Sequence, residues 1–198
     1  MTILFREVEL DDALMILRWR TCPHVTKFMK TDIEYNIEDQ KRWLRNCYTK
    51  SHYYHWIIES DNFPVGLVKI NDYDPLKKNL GWGFYIGEKD YNEIGVFIPP
   101  YLYNYCFKSL CVSQIYSEVF SDNTSVVKLQ RIHGYFFTPA NDRVITKNGK
   151  DILLISMKLE KDDFLKSKFS RFSADFPTER WVGRPDHFEQ ATKLINNS

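Results

Sequence analysis

A turn followed by a helix, in the stretch YNEIGVFIPPYLYNYCF (91–107), has features of a phosphate-binding segment. Backbone N–H groups in such a turn and the positive end of the next helix attract a phosphate. The stretch has one glycine, Gly95, and Glu93 adds a negative charge where a phosphate would lie. Pro99 and Pro100 lack N–H groups, although proline is favoured in the first turn of a helix. Two interpretations are open: a weakened phosphate loop, or an ordinary connection from a strand to a helix.

Metal chemistry finds little support in the sequence. The four cysteines, at 22, 47, 106 and 111, form no CxxC pair and belong to no His/Cys cluster typical of a metal site. The segment HYYHW (52–56) holds two histidines, but alternation along a strand favours structural roles for them. We therefore expect no metal. Sparse, unpatterned cysteines are typical of the reducing cytoplasm, where we expect the protein to act.

Charge and composition narrow the classes of partner. The 198-residue chain has 27 basic and 26 acidic residues, and its net charge of +1 disfavours a general nucleic-acid binder. The charged first dozen residues do not resemble a signal peptide, and no apolar run approaches the length of a membrane span. Hydrophobic residues make up 43% and aromatic residues 16%. This composition suits a sizeable core and an aromatic-lined cleft for a small molecule.

The elements that position these residues follow from periodicity. TILFREVEL alternates as a strand, Leu10, Leu14 and Leu17 recur at helical spacing, and Asn36 caps a second helix. The remaining predicted elements are, in order, the strands YYHWIIES, VGLVKINDY and NLGWGFYIG, the helix of the phosphate segment, the strand VSQIYSEVF, a helix near SDNTSVVKLQRI, and the strands GYFFTP and DILLISMKL. The order predicts an α/β domain at 1–160, with a mixed, largely antiparallel sheet covered by helices on both faces. A helical or irregular extension is expected at 161–198.

This order of elements resembles that of the GCN5-related N-acetyltransferase (GNAT) superfamily, and three motifs carry the resemblance. WGFYIGEKDYNEIG (82–95) is similar to the family's fourth strand and pyrophosphate loop, and YSEVFSDNTSVVKLQRIHGY (116–135) to its run from strand to helix. LRWRTCPHVTKFM (17–29) with EDQKRWL (38–44) resembles a branch that includes acetyltransferases of nucleotide-linked amino sugars, such as the pseudaminic-acid pathway enzymes. Ribosomal-protein N-terminal acetyltransferases share a weaker version of this third motif.

The resemblance implies acetyl-CoA as co-substrate, bound where two central strands splay apart. The loop would hold the pyrophosphate, and the strand before it would offer a backbone N–H to the thioester carbonyl. The asparagine before the following helix would reach the pantetheine arm, and a lysine on that helix would meet a phosphate. The residues expected to bind the co-substrate are Phe84, Ile86, Asn92, Gly95, Val96, Phe97, Asn123 and Lys128.

Acetyl transfer to an amine requires a deprotonated amine and a departing thiolate. Glu118 is the preferred candidate for the base, with Asp72 and Asp74 as alternatives and water-mediated catalysis also open. Many relatives place a tyrosine acid where this chain has Gln130, so the acid is unassigned. Tyr85 is our candidate for a catalytic tyrosine, and the other substitutes considered are Tyr103 and Tyr105. The thiolate could also leave unprotonated.

The acceptor is expected to contact the first helix-turn region and the hairpin. A cation there would pair with a nucleotide diphosphate, and Met29 or Trp82 would stack on a sugar or base. The residues expected to bind the acceptor are Arg20, Lys27, Met29, Asp72 and Trp82. The preferred function is N-acetylation of a nucleotide-linked amino sugar. The alternatives are acetylation of a protein N-terminus and a non-catalytic ligand-binding domain of this fold. The tail at 169–198 could cover the cleft, mediate a homodimer, or do neither.

Overall fold

The structure is a computed structural model that describes residues 1–50 and 53–179. Within these residues a single sheet has the strand order β1-β2-β3-β4-β5-β8-β6, and β7 pairs with β8. Its strands are β1 (Ile3–Glu7), β2 (Tyr54–Ser60), β3 (Phe63–Asp74), β4 (Asn79–Ile86), β5 (Gln114–Phe120), β6 (Phe136–Phe137), β7 (Arg143–Lys147) and β8 (Lys150–Glu160). The mixed, mostly antiparallel sheet confirms the predicted fold class.

Six α-helices lie among the described residues. They are α1 (Ala13–Thr21), α2 (Pro23–Thr26), α3 (Ile37–Tyr48), α4 (Ile98–Lys108), α5 (Thr124–Ile132) and α6 (Lys161–Leu165). Asn36 caps α3 as predicted, because its side chain accepts hydrogen bonds from the N–H groups of Glu38 and Asp39. Pro23 ends α1, as expected, and also begins the short α2. None of these helices is long and apolar enough to cross a bilayer.

The two central strands, β4 and β5, separate along their length. They pair in parallel only between Asn79–Gly81 and Gln114–Tyr116. Beyond Gly81, β4 stays paired with β3 as far as Ile86, but no described strand lies on its other side. Backbone groups along that edge are therefore free for a ligand. The splayed strand pair implied by the family resemblance is present.

Alternate residues of β4 face opposite sides of the sheet, as strand geometry requires. Trp82, Phe84 and Ile86 pack into the larger core cluster, on the side of α4. Tyr85 packs instead against the smaller cluster, to which Trp19 of α1 belongs. Odd and even positions of β4 therefore place their side chains on opposite faces of the sheet. A side chain of β4 can reach only one side of the fork between β4 and β5.

The β7–β8 hairpin is an element that our sequence analysis missed. Its turn residues Asn148 and Gly149 have φ values of 51° and 72°. This Asn-Gly pair is typical of a tight hairpin turn, since both residues adopt positive φ readily. The Asn-Gly turn signal was therefore available in the sequence, although the exposed strand RVITK before it shows no clear alternation.

The described part of the C-terminal extension packs onto the domain. Phe164 and Phe176 lie in the larger core cluster, and the indole N–H of Trp56 donates to the carbonyl of Pro177 at 2.7 Å. Residues 161–179 are therefore built into the same core as the sheet. The expectations for the tail beyond residue 179, and for His52, fall outside the described residues.

Candidate active site

A cleft of about 1420 Å³ opens where β4 and β5 diverge. One wall combines β4 with the turn after it. The opposite wall combines β5 with α5, and the segment between α1 and α3 covers the other face of the fork. Side chains from both faces of the sheet reach the cleft, so a ligand passing through the fork would contact two chemically different halves.

The co-substrate half of the cleft, on the α4 side of the sheet, contains most of the residues predicted to bind acetyl-CoA. Phe84 and Ile86 line the cleft from β4, and Asn92, Gly95 and Val96 line it from the turn that follows. Gly95 is buried, and a side chain added there would make only ordinary contacts. A glycine is thus not sterically required at this position. The loop can approach a ligand through its backbone.

Phe97 does not enter the cleft, contrary to its predicted place in the binding loop. Its ring is 43% exposed and stacks near Phe172 of the C-terminal segment, with ring centroids 6.4 Å apart. Its N–H donates to the carbonyl of Ile94 at 2.9 Å, so it is not available for a phosphate. The turn therefore has fewer donors than the family pattern, but the phenyl ring does not plug it.

Helix α4 starts beside this turn with two prolines in its first positions. Pro99 and Pro100 are buried and remove two of the N–H groups that a helix start normally offers. The positive end of the helix dipole remains directed at the turn. The open strand edge, the cleft and the turn together fit acetyl-CoA, with a pyrophosphate contact that is weaker than usual.

The α5 wall holds Asn123 at the cleft and Lys128 outside it. Asn123 caps α5, accepting from the N–H of Val126 at 3.5 Å, and also lines the cleft. The contact with the pantetheine arm that the resemblance implies is therefore compatible with its role as an N-cap. Lys128 is exposed and does not line the cleft, because it lies on the solvent side of the helix. The phosphate contact predicted for Lys128 is not supported.

Gln130, which stands at the usual tyrosine position, is only 3% exposed and lines the cleft. Its Nε2 donates to the hydroxyl of Ser117 on β5 at 2.7 Å. Its Oε1 is buried and has no hydrogen-bond partner among the described residues. A buried amide oxygen left unpaired costs about 1–3 kcal/mol, which points to a use for this amide.

Glu118 lines the cleft but is held in an ion-pair network. Arg143 donates to its two carboxylate oxygens at 2.6 and 2.9 Å, and Lys30 donates to Oε2. These hydrogen bonds, led by that from Arg143, lower the pKa of Glu118 to about 2. A carboxylate with so low a pKa is a poor general base near neutral pH. The pairing therefore disfavours the predicted role of Glu118 as a base, and the residue joins β5 to β7 and to the segment after α2.

The tyrosines considered for the acid lie in three environments. Tyr85 lines the cleft on the α1 side, and burial raises the pKa of its hydroxyl, which has no hydrogen-bond partner within the described chain. Tyr103 and Tyr105 lie in the core and do not line the cleft. Among the three, only Tyr85 lines the cleft.

The acceptor half of the cleft, on the α1 side of the sheet, is lined by cations that the sequence analysis mostly overlooked. Lys69 of β3 lies opposite Gly83, and its Cε is 3.3 Å from the position of a side chain added there. Burial, followed by the charges of Lys30 and Arg20, lowers the pKa of Lys69. Neither Arg20 nor Lys69 forms a salt bridge among the described residues. The small Gly83 thus leaves room for a lysine without a fixed counter-ion.

The predicted acceptor residues divide between the cleft and its surroundings. Arg20 and Met29 line the cleft, and the guanidinium of Arg20 donates to the Thr31 carbonyl at 3.1 Å. Asp72 lies at the exposed rim, where it accepts from the hydroxyl of Tyr53 at 3.0 Å.

Two other predicted acceptor residues are not on the acceptor side of the cleft. Lys27 is exposed over the ring of Phe28 and does not line the cleft. Trp82 lines it from the α4 face, opposite the cations, because it has the other parity on β4. Stacking of Trp82 on the acceptor is therefore not supported.

The β7–β8 hairpin fixes the segment after α2, which carries Met29 and Lys30. Lys147 is 9% exposed, and its ammonium donates to the carbonyls of Thr26 and Met29 at 2.6 and 2.9 Å. It also pairs with Asp32 at 2.9 Å, and Asn148 donates to the same carboxylate at 2.8 Å. These hydrogen bonds, with the one from Lys147 the largest cause, lower the pKa of Asp32 to about 2. Lys147 and Asn148 thus form a clasp on the segment from Thr26 to Asp32, which we call the acceptor segment. No cluster that could hold a metal occurs in 1–50 and 53–179.

Comparison with known proteins agrees with this geometry. A family model described as an acetyltransferase (GNAT) domain matches residues 2–135. Acetyltransferase PseH of Campylobacter jejuni serotype O:2 is 26% identical over 154 residues, which cover 78% of this chain and 90% of PseH. PseH of serotype O:23/36 is 24% identical over 125 residues, covering 63% and 77%.

A solved spermidine N-acetyltransferase from Vibrio cholerae, in complex with CoA and spermine, superposes with a TM-score of 0.75 at 14% identity. The match covers 83% of this chain and 98% of that one, and at this identity it shows the fold. The family model covers more than half of the chain, from the first strand to the end of the α5 motif. The chain belongs to the GNAT acetyltransferase family and is an N-acetyltransferase that uses acetyl-CoA.

Proposed function

We propose that the protein transfers the acetyl group of acetyl-CoA to an amine of a nucleotide-linked amino sugar. The observation that carries the proposal is the pair of cations, Arg20 and Lys69, on the acceptor side of the fork. The likeness to acetyltransferase PseH, which covers most of both chains, supports the same acceptor class. The clasp and the ion pairs of Glu118 hold this side of the cleft in place.

A negatively charged acceptor would complete the electrostatics of the cleft. Burial lowers the pKa of both Arg20 and Lys69, which shows that holding their charges there costs free energy. No carboxylate among the described residues lies within salt-bridge distance of either group. A diphosphate would supply the missing charge and accept hydrogen bonds from both side chains. The nearby Lys30 shares its charge with Glu118 and contributes less.

Deprotonation of the acceptor amine is assigned to water in this proposal. With Glu118 held in ion pairs, the amine proton passes to water without a carboxylate base in contact with the amine. On the other face of the fork, free backbone N–H groups of β4 after Gly81 would polarise the thioester carbonyl.

A polyamine acceptor, as the bound spermine suggests for the Vibrio cholerae enzyme, fits this chain less well. Spermine carries several positive charges, which Arg20 and Lys69 would repel. A protein N-terminus would also bring a positive charge, without a group to pair with these cations.

The test is a panel of acceptors assayed with acetyl-CoA by release of free thiol. The panel holds a nucleotide-linked amino sugar, the same amino sugar without its nucleotide, spermidine, and a peptide with a free N-terminus. We expect the nucleotide-linked sugar to give the highest kcat/KM, by about tenfold or more, since one charge-assisted contact contributes a factor of this order. Faster transfer to spermidine or to the peptide would overturn the proposal.

A further inference from the structure

The fork between β4 and β5 has a polar pair at its closed end. Gly81 and Tyr116 are the last residues that pair across the two strands, and Ser117 is the next residue on β5. Ser117 lines the cleft, 6% exposed, and remains paired on its other side with β8. Gln130 reaches it from α5. Two buried side chains with spare hydrogen-bonding capacity therefore meet where the strands begin to separate.

The position of the binding turn indicates which part of the co-substrate reaches this pair. The turn with Gly95 follows the wide end of the fork, beyond Ile86. A diphosphate bound there leaves the pantetheine arm to run back along the free edge of β4. From Ile86 to Trp82 this edge spans about 13 Å, at about 3.3 Å per residue. The thioester end of the arm would thus lie at the closed end of the fork, beside Ser117 and Gln130.

The pair can present a hydrogen-bond donor to the cleft through the hydroxyl of Ser117. Because Gln130 Nε2 donates to the oxygen of Ser117, the hydroxyl hydrogen of Ser117 is free to donate. The amide thus orients the serine hydroxyl, while its own carbonyl oxygen stays buried. One donor is therefore available at the closed end of the fork.

We propose that Ser117 and Gln130 together stabilise the departing CoA thiolate, in place of a proton-donating tyrosine. During the reaction a C–N bond forms between the acceptor amine and the carbonyl carbon, and the C–S bond breaks. The electron pair of that bond stays on sulfur, where the pair donates a hydrogen bond, and the surplus proton of the amine passes to water. Neither side chain transfers a proton, because neither an amide nor an aliphatic hydroxyl is acidic enough near neutral pH.

The proposal rests on acetyl transfer from acetyl-CoA but not on the identity of the acceptor. It can therefore be tested on the binary complex with CoA. The thiol pKa of bound CoA is measured from the ultraviolet absorbance of its thiolate as pH is varied. We expect this pKa to lie below that of free CoA by about one pH unit, which corresponds to a tenfold preference for the thiolate.

The variants Gln130→Met and Ser117→Ala each remove one member of the pair. If one variant does not fold, the other still tests the proposal. Each should return the thiol pKa toward that of free CoA and lower kcat by about 10- to 100-fold. The KM for acetyl-CoA should change much less. Thr138→Val is the matched control, because it removes a similar hydroxyl hydrogen bond to Ser156 from a residue that does not line the cleft.

The outcomes separate cleanly. An unchanged thiol pKa in folded variants that still bind CoA, or a wild-type value equal to that of free CoA, overturns the role of the pair. A lowered thiol pKa that depends on the pair supports it, even if the acceptor panel were to favour another amine. Failure of the proposed acceptor class and failure of this inference are therefore distinguishable.

Discussion

The ammonium of Lys147, at the end of β7, donates to the main-chain carbonyl of Met29 at 2.9 Å, although 118 positions separate the two residues. The same ammonium pairs with Asp32. A hairpin that our sequence analysis missed thus holds the acceptor segment against the sheet. The clasp explains how a segment with little regular structure can present Met29 and Lys30 in a fixed arrangement.

Breaking the clasp should weaken acceptor binding without affecting the co-substrate. In Lys147→Met the carbonyls of Thr26 and Met29 lose their donor and Asp32 loses its cation. We expect the KM for the acceptor to rise about tenfold, the order expected for loss of charge-assisted hydrogen bonds. The KM for acetyl-CoA should stay within about twofold, by the same reasoning. Lys150→Met, on the exposed side of the same turn, is the control. Equal effects of the two substitutions would contradict a clasp.

Glu118 provides a prediction about pH. Its pKa in the folded protein is about 2, below the ordinary 4.5, so its ion pairs are fully formed above about pH 4.5 and are lost as the pH falls toward 2. Glu118 therefore does not titrate between pH 5 and pH 9, and it cannot produce an acid limb of kcat in that range. In Glu118→Gln we expect kcat to fall by about tenfold at most, and the pH profile of kcat to stay unchanged. A general base would instead show a loss of about 100-fold or more and a flattened acid limb.

The C-terminal segment offers a prediction about stability. Phe176 is buried and its ring stacks on that of Phe5, with centroids 4.2 Å apart, while also packing edge-on against Trp56. Phe176→Ala should destabilise the protein by about 3–5 kcal/mol, as is usual for a large aromatic ring removed from a core. Leu76→Ala, at a side chain that is 93% exposed, should have little effect. Similar urea midpoints for both variants would show that residues 161–179 are not part of the cooperative unit.

Periodicity was sufficient to predict most of the sheet and the order of its helices. β1 to β5 and the capped start of α3 coincide with the alternating and helical patterns, because local sequence determines them directly. The β7–β8 hairpin was missed although Asn148 and Gly149 marked its turn. The integration of Phe176 into the core could not be predicted, since it depends on long-range packing that no local pattern records.

The site was predicted less completely, for reasons of geometry. Trp82 and Tyr85 were expected near the reaction, and both line the cleft, but strand parity puts them on opposite faces. Glu118 lines the cleft as expected, but the cationic partners that disfavour its role as a base come from β7 and from the segment after α2, which no local pattern predicts. Lys69 was overlooked because a lone lysine in a strand is normally solvent-exposed. Only the pairing of β3 with β4 places it over Gly83.

The most direct test of the account measures how the acceptor's charge is recognised. The ratio of kcat/KM for a nucleotide-linked amino sugar to that for the same sugar without its nucleotide is determined for the wild type, Lys69→Met and Lys27→Met. Lys69 lines the cleft, whereas Lys27 is exposed outside it. We predict that the ratio falls by about tenfold or more in Lys69→Met and is unchanged in Lys27→Met. A wild-type ratio near one, or a ratio that Lys69→Met leaves intact, would contradict an anionic acceptor bound at this fork.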